Sequence, residues 1–221
     1  MNVTFVQHSH SGGPGLIRDY VQDRQWNCRR ILFPQDIADS PLESAFDDIV
    51  VVLGSPHGVY ETDVPWIARE RLLMRSLVDN AIPVFGVCFG AQLLATAIRG
   101  DVSPMPRSYR GWKINENAVD DVWKGPWLRW HGDRIFLPEG VETFAQDDGI
   151  VQGFKQGSAV GVQFHPEVCD SVLTDWIKEK SSTSKEPPER LAQARDFATL
   201  HAQAIRDRAY ALFDRIFSLI T

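Results

Sequence analysis

The chain has 221 residues, 43% of them hydrophobic and 24% charged, and its 23 basic and 29 acidic side chains give a net charge of −6. Apolar content this high buries enough surface to offset the entropy of ordering, which excludes a largely disordered protein. The acidic balance, without a long basic run, disfavours nucleic-acid binding, and no stretch reaches the roughly 18 consecutive apolar residues of a membrane span.

The cysteines and the N-terminus indicate the cellular compartment. Cys28, Cys88 and Cys169 are too few and too irregularly spaced for a disulfide framework or a metal site. The first residues lack the basic start and the apolar run of a signal peptide. We therefore expect a reducing, cytoplasmic location with a thiol available for chemistry, and we expect neither a metal nor a cofactor.

The first half of the chain alternates short apolar runs with amphipathic stretches. Strands are predicted at Val3–Gln7, Arg30–Phe33, Ile49–Leu53 and Ile82–Val87, and helices at Leu16–Asp23, Pro65–Val78 and Phe89–Ile98. Uninterrupted apolar strands belong inside a parallel sheet that is covered on both faces. The alternation predicts a doubly wound, mostly parallel α/β sheet with right-handed crossovers.

Beyond residue 100 the pattern changes to shorter runs between Gly, Pro and Asp turns. Antiparallel strands are predicted at Trp112–Ile114, Arg134–Leu137, Val151–Phe154 and Ala159–Phe164. Helices follow at Val172–Ile177 and at about Glu189–Leu219, separated by a polar linker at Ser181–Pro188. Without an internal repeat, the sequence predicts a single domain over residues 1–221 whose part from 170 to 221 is a helical extension.

A cysteine stands at a sharp predicted junction. The run Gly86–Gly90 follows a buried strand and opens a helix, which is the G-x-nucleophile-x-G elbow with Cys88 as nucleophile. Small residues two before and two after the nucleophile allow strand and helix to approach, and the helix N-terminus favours a thiolate. The N–H of Phe89 would then face a developing oxyanion. The alternative, a buried apolar cysteine, is disfavoured by the strand-before, helix-after context.

A nucleophilic cysteine needs a base, and His165 has the best context of the six histidines. It follows a predicted strand, and strand ends of α/β sheets face the ligand crevice. Pro166 stiffens the link to Glu167, which is placed to accept the second imidazole N–H and fix the tautomer. His8, His10 and His57 are predicted to be surface or turn residues, and His201 is predicted to lie on the solvated face of the C-terminal helix. His131 is predicted to lie in a turn that could line a pocket.

Together these motifs resemble the class I, or triad, glutamine amidotransferase superfamily, and within it stand-alone relatives of the amidotransferase domain of GMP synthase. The resemblance runs from about Ile49 to Val168 and is carried by Gly86–Gln92 and Val162–Glu167. Three shorter segments support it. They are Gly54-Ser55-Pro56, similar to a Gly-Gly-Pro oxyanion loop, Gly111-Trp112, similar to an Ile-Gly-Trp strand, and Trp130-His131-Gly132-Asp133, similar to a turn over the substrate.

The resemblance implies a flavodoxin-like amidotransferase fold and a γ-glutamyl thioester mechanism. Cys88 would attack the side-chain amide of the substrate, His165 would transfer the proton, and Glu167 would orient His165. The N–H groups of Ser55 and Phe89 would form the oxyanion hole. The implied substrate-binding residues are Gly54, Gln92, Trp130, Gly132 and Asp133.

Two departures from the family pattern stand out. Ser55 replaces the second glycine of the oxyanion loop, so the loop is expected to hold a non-glycine residue in an unusual backbone conformation. Tyr109-Arg110-Gly111 replaces the common Glu-Ile-Gly.

Three functions fit the motifs. The first is hydrolysis of glutamine or of a γ-glutamylated amine, and the second is a glutaminase subunit that delivers ammonia to a separate synthetase, since the chain has no G-x-x-x-x-G-K-[ST] phosphate loop. The third is a non-catalytic regulator that binds γ-glutamyl compounds, which the complete set of nucleophile, base and orienting carboxylate disfavours. The expected partners are a small γ-glutamyl substrate and a synthetase subunit, with neither nucleic acid nor membrane.

Tryptophans are concentrated in one region. Four of the seven fall within nineteen positions: Trp112, Trp123, Trp127 and Trp130. One interpretation is ordinary packing of the antiparallel strands. The other is that part of this cluster forms an apolar wall beside the leaving nitrogen, which would favour an aromatic or alkyl γ-glutamyl amide over glutamine.

Overall fold

The computed structural model describes residues 1–34, 36, 48–180 and 188–221. The strands are β1 Asn2–Val6, β2 Asn27–Leu32, β3 Ile49–Val52, β4 Val84–Val87, β5 Asp101–Lys113, β6 Asn117–Ala118, β7 Trp127–Phe136, β8 Glu142–Asp147, β9 Ile150–Gln156 and β10 Ala159–Val162. The helices are α1 Gly15–Asp23, α2 Pro65–Asp79, α3 Phe89–Ala97, α4 Asp121–Lys124, α5 Asp170–Lys180, α6 Pro188–Leu200 and α7 Ala202–Ile220.

A large sheet runs through the centre of the described structure, in the order β2-β1-β3-β4-β10-β9-β8-β6. Neighbouring strands among β2, β1, β3, β4 and β10 pair in parallel. Strands β9, β8 and β6 continue the sheet with antiparallel pairing. Strands β5 and β7 form a separate antiparallel pair. The predicted α/β fold, with a mostly parallel sheet, a small antiparallel addition and C-terminal helices, is confirmed.

The parallel strands are apolar at consecutive positions because helices cover both faces of the sheet. On β3, Ile49 and Val51 pack into a core shared with α1 and α7. Val50 and Val52 point the other way, into a core shared with α2 and α3. Successive side chains of a strand alternate between faces, so a strand covered on both sides needs an unbroken apolar run.

The antiparallel region departs most from the prediction. The predicted strands Trp112–Ile114 and Arg134–Leu137 overlap only the carboxyl ends of the much longer strands β5 and β7. As a result Trp130-His131-Gly132-Asp133 is not a turn, because all four residues lie inside β7, and Trp130, His131 and Asp133 pair with β5. Charged residues, glycine and proline interrupt the apolar runs of β5 and β7, so the sequence pattern does not predict strands of this length. Their formation depends on pairing between distant segments.

Two further elements differ. Strand β8 has the sequence Glu-Thr-Phe-Ala-Gln-Asp, whose polar residues do not predict a strand. In the structure it pairs with β9. The single predicted C-terminal helix is two helices, α6 and α7, which meet at His201. The predicted linker falls on residues 181–187, outside the described residues, and Pro188 already belongs to α6.

None of the described helices is both long enough and apolar enough to span a bilayer.

Candidate active site

The junction between β4 and α3 brings backbone segments unusually close together. A Cβ atom at Gly90 would lie 2.1 Å from the carbonyl oxygen of Val52, and one at Gly86 would lie 2.7 Å from backbone atoms of Gly90. Neither position has room for a side chain. Cys88, between these glycines, has φ 53° and ψ −102°, and its N–H donates to the carbonyl of Val162 at 2.7 Å. Such a strained non-glycine backbone persists only where its surroundings hold it.

His165 and Glu167 form a buried pair beside this junction. Nδ1 of His165 lies 2.7 Å from Oε1 of Glu167, and both residues are less than 5% exposed. The backbone N–H of His165 donates to the carbonyl of Leu128, which ties the segment after β10 to β7. Because Nδ1 is used by Glu167, Nε2 is the nitrogen left for Cys88, and it has no hydrogen-bond partner among the described residues.

The electrostatics of the pair favour the imidazolium. Burial alone would lower the pKa of His165, but attraction to Glu167 and to Cys88, together with the hydrogen bond to Glu167, outweighs burial and raises that pKa well above its ordinary value. A carboxylate fixed on one side and a sulfur atom on the other thus stabilise the imidazolium that forms when His165 accepts the proton of the thiol. This arrangement suits transfer of a proton from the thiol to the imidazole and onward to a leaving group.

Two backbone N–H groups are available near Cys88. Phe89 is the first residue of α3, where N–H groups lack an intrahelical partner. Gly54 and Ser55 lie in the loop that follows β3, and a Cβ atom at Gly54 would lie only 3.2 Å from Cε1 of His165 and 3.8 Å from Cβ of Cys88. The expectation of an unusual backbone at Ser55 is wrong, since Ser55 is not among the non-glycine residues with positive φ. Among the predicted site residues, the non-glycine residue with a positive φ is Cys88.

A small cavity of about 170 Å³ opens above the junction. This is below the 300–1,000 Å³ range typical of drug-sized ligands, so the cavity has room for a ligand group of about amino-acid size. Six of the predicted site residues line it: Gly54, Ser55, Cys88, Trp130, His165 and Glu167. The remaining lining residues are Ser9, Gly12, Pro56, Trp176 and Glu179.

Three predicted substrate-binding residues do not line this cavity. Gln92 is buried behind the junction, where its amide donates to Gln163 at 3.3 Å, and the amide of Gln163 lies 3.6 Å from Sγ of Cys88. Gly132 and Asp133 lie on β7, and the carboxylate of Asp133 accepts from the hydroxyl of Tyr60 at 2.9 Å. Substrate binding by Gln92, Gly132 and Asp133 stays a prediction.

The tryptophan cluster is mainly packing. Trp123 and Trp127 are about 1% exposed and stack on Phe144 and Phe164. Trp112 stacks on a phenylalanine of α6. Of the four clustered tryptophans, only Trp130 lines the cavity.

Sequence reasoning missed Trp176 on α5, whose ring stands edge-on to His165 with centroids 5.1 Å apart. It also missed Glu179 on the same helix. No motif marks either residue, since both reach the cavity through the docking of α5. Their spacing of three on an amphipathic helix is the one sequence signal that places them on a common face.

The other histidines are distributed differently from the prediction. His8, expected in a turn or at the surface, has a fully buried side chain in contact with Glu70. His131 is also buried, and its Nδ1 contacts the carbonyl of Asp133; burial chiefly lowers the pKa of its imidazole to about 3, which keeps the ring neutral. Within the described residues, no group of three or more His, Cys, Asp and Glu side chains could hold a metal ion.

Comparison with known proteins gives consistent results. The family model described as "Glutamine amidotransferase class-I" matches residues 16–180. The chain is 32% identical over 175 residues to a GMP synthase [glutamine-hydrolyzing] of Thermomicrobium roseum, covering 73% of this chain and 31% of that protein. It is 26% identical over 216 residues to the GMP synthase [glutamine-hydrolyzing] of Thermosipho africanus, covering 93% and 40%. The chain thus spans about a third of the length of these relatives.

Solved structures share the fold. A glutamine amidotransferase from Thermotoga maritima superposes with a TM-score of 0.83 at 23% identity, over 98% of both chains. A glutamine amido transferase from Methylobacillus flagellatus gives a TM-score of 0.83 at 20% identity, over 100% of this chain and 95% of that one. At 23% and 20% identity, these similarities show that the fold is shared and nothing further.

The His165–Glu167 pair predicts a change in titration. In Glu167→Gln the carboxylate charge is lost, so burial is opposed by less attraction and the pKa of His165 falls. Attraction to Glu167 and Cys88 raises the pKa of wild-type His165 to about 10. As the pH is raised from about 5 to about 11, the variant should therefore lose the imidazolium proton at a lower pH than the wild type does. Nitrogen-15 chemical shifts of the ring measure this directly. Glu61→Gln, which alters the partly exposed His57–Glu61 pair, is the control and should leave His165 unchanged. Equal titration of His165 in wild type and Glu167→Gln would contradict the pairing.

Proposed function

This chain belongs to the class I glutamine amidotransferase family, and from that premise we propose that it hydrolyses a γ-glutamyl amide through a thioester on Cys88. The observation that carries the proposal is the arrangement of Cys88, His165 and Glu167 on the wall of one amino-acid-sized cavity. The strained junction aims the thiol, and Glu167 fixes the imidazole tautomer that leaves Nε2 for the thiol.

The first half of the reaction forms the thioester. The proton of Cys88 passes to Nε2 of His165, and the sulfur attacks the side-chain carbonyl carbon, so that a C–S bond forms and the carbonyl electrons move to oxygen. N–H groups of Ser55 and Phe89 stabilise this oxyanion. When it collapses, the C–N bond breaks and His165 gives its proton to the leaving nitrogen, which departs as ammonia or as an amine.

The second half releases the acid. Water enters the position of the leaving nitrogen, gives a proton to His165 and attacks the thioester carbon. The second oxyanion collapses, the C–S bond breaks, and the proton returns from His165 to the sulfur of Cys88. Glutamate leaves, and the site returns to its starting protonation without any cofactor.

Two indole rings suggest what the leaving nitrogen carries. His165 delivers the proton to that nitrogen, so the nitrogen must lie close to His165. The ring of Trp176 packs against His165, and Trp130 lines the same cavity with its centroid 6.4 Å from that of Trp176. An alkyl or aryl group on the nitrogen would pack against these two rings, whereas the nitrogen of glutamine, which leaves as ammonia, carries no group that could contact them. We therefore propose an N-substituted γ-glutamyl amide as the preferred substrate.

The relatives favour a second candidate function. Those matched are GMP synthases described as glutamine-hydrolyzing, of which this chain spans about a third. The chain would then hydrolyse glutamine and deliver ammonia to a separate synthetase subunit. The two candidates differ in the substrate preference of the isolated chain: the amide hydrolase is active alone on substituted amides, and the amidotransferase subunit uses glutamine and depends on its partner.

The thioester mechanism predicts that Cys88→Ser and Cys88→Ala abolish hydrolysis. The expected loss in kcat is several powers of ten, as for other nucleophile removals. The circular dichroism spectrum should show that the variants keep the fold. Amine and ammonia release should be measured on glutamine and on a panel of γ-glutamyl amides. Cys169→Ser is the matched control, because Cys169 is partly exposed and does not line the cavity. A Cys88 variant that keeps a tenth of the wild-type rate would rule out the mechanism.

The indole wall predicts a substrate preference that depends on Trp176. The wild type should favour an N-benzyl or N-alkyl γ-glutamyl amide over glutamine by about ten- to a hundredfold in kcat/KM. Trp176→Ala should remove most of this preference, and Trp176→Phe should retain part of it because a ring remains. Trp112→Ala, outside the cavity lining, is the control. If glutamine is the better substrate of the isolated wild type, the wall proposal is wrong and the amidotransferase candidate is favoured.

A further inference from the structure

A second histidine–glutamate pair lies behind the oxyanion loop. Nε2 of His8 is 2.9 Å from Oε1 and 3.1 Å from Oε2 of Glu70, and the side chains are 0% and 2% exposed. His8 follows β1, and Glu70 lies on α2. Neither residue lines the cavity, and the proposed mechanism uses neither of them.

The other ring nitrogen of His8 contacts the oxyanion loop itself. Nδ1 is 3.0 Å from the carbonyl oxygen of Gly54. Because that oxygen can only accept, Nδ1 carries a proton and donates it. The carboxylate of Glu70 faces the opposite nitrogen, so one further proton is shared between Nε2 and Glu70. The pair thus presents a fixed donor, with a carboxylate behind it, to a single backbone carbonyl.

That carbonyl belongs to the same peptide unit as the Ser55 N–H. A trans peptide is planar, with its C=O and N–H pointing in opposite directions. Fixing the carbonyl of Gly54 toward His8 therefore fixes the N–H of Ser55 away from it. Hydrogen bonding to the carbonyl also polarises the peptide, which makes its N–H a stronger donor.

His8 also packs against the residue that supplies the other oxyanion N–H. Its ring meets the ring of Phe89 edge-on, with centroids 4.9 Å apart, and stacks on Trp66 at 5.4 Å. One buried imidazole thus contacts Gly54, in the loop after β3, and Phe89, at the start of α3. The separation between these two backbone segments decides whether both N–H groups can reach one oxygen atom.

We propose that His8 and Glu70 are positioning residues that orient and polarise the Gly54–Ser55 peptide as an oxyanion donor. This inference rests on the proposed function, because an oxyanion forms only if Cys88 attacks a carbonyl. A purely structural role is the alternative. Replacing a buried ionic pair by apolar residues of similar size is often neutral for stability, so stability alone gives little reason for burying Glu70.

The test compares a reaction that forms an oxyanion with one that does not. The double variant His8→Phe/Glu70→Leu removes the donor without leaving a lone buried charge and keeps an aromatic ring against Phe89 and Trp66. His8→Asn keeps an N–H donor for Gly54. His10→Phe is the matched control, since His10 lies in the same loop, is exposed and contacts Phe33. Each protein is assayed for kcat and KM on the best γ-glutamyl amide and for alkylation of Cys88 by iodoacetamide, a displacement at carbon without an oxyanion.

The double variant should lower kcat by about ten- to a hundredfold, somewhat less than deletion of an oxyanion donor, while KM and the alkylation rate stay within about twofold of wild type. His8→Asn should recover most of the lost kcat, and His10→Phe should match the wild type. An unchanged kcat in the double variant would overturn the inference. A parallel fall in kcat and in alkylation would also overturn it, because the pair would then support the site as a whole.

Two further measurements keep the inference testable. If the double variant does not fold, Glu70→Gln replaces it: this variant keeps an acceptor for Nε2 but removes the charge, and it should lower kcat several-fold without changing alkylation. If the wild type hydrolyses no γ-glutamyl amide, the proposed function fails instead. The amide nitrogen-15 and proton shifts of Ser55 then decide the inference: they should move in the double variant but not in His10→Phe, and unmoved shifts would overturn it.

Discussion

The close approach of helix α3 to strands β3 and β4 is the constraint on which the site depends. Gly90 lies against the carbonyl of Val52, and Gly86 lies against Gly90, so the chain must turn from strand to helix within one residue. That residue is Cys88, which has a positive φ and is held by the hydrogen bond from its backbone N–H to the carbonyl of Val162. The same geometry places the thiol at the carboxyl edge of the parallel sheet, where strand-end residues of neighbouring strands meet.

Around this junction the protein buries two carboxylates and gives each an imidazole partner. An isolated carboxylate in such surroundings would be strongly unfavourable, and the pairing reduces that cost. Glu167 faces His165 next to the sulfur, and Glu70 faces His8 behind the oxyanion loop. In our account the first pair controls a proton and the second controls the direction of a peptide dipole. Both act through geometry that is set before substrate arrives, which is how electrostatic stabilisation of a transition state is most effective.

The sequence predicts what is encoded locally and misses what is encoded by packing. The Cys88 elbow and the His165-Pro166-Glu167 turn are short motifs whose geometry depends on neighbours in the chain, and the structure brings their side chains to one cavity. Trp176 and His8 carry no such motif: one reaches the cavity through docking of α5, and the other meets Glu70 sixty-two residues away. Gly132 and Asp133 favour turns, so the sequence predicts a turn at Trp130 and His131, whereas pairing with β5 makes this segment a strand.

The central claim is that a γ-glutamyl group is transferred to Cys88, and rapid acid quenching of the enzyme during turnover tests it most directly. Intact mass should show a fraction of the protein heavier by one γ-glutamyl group, and peptide mapping should place that group on Cys88, in a bond that hydroxylamine cleaves. A γ-glutamyl group on Cys28 or Cys169, or hydrolysis that proceeds equally fast after Cys88 has been blocked by alkylation, would contradict the account.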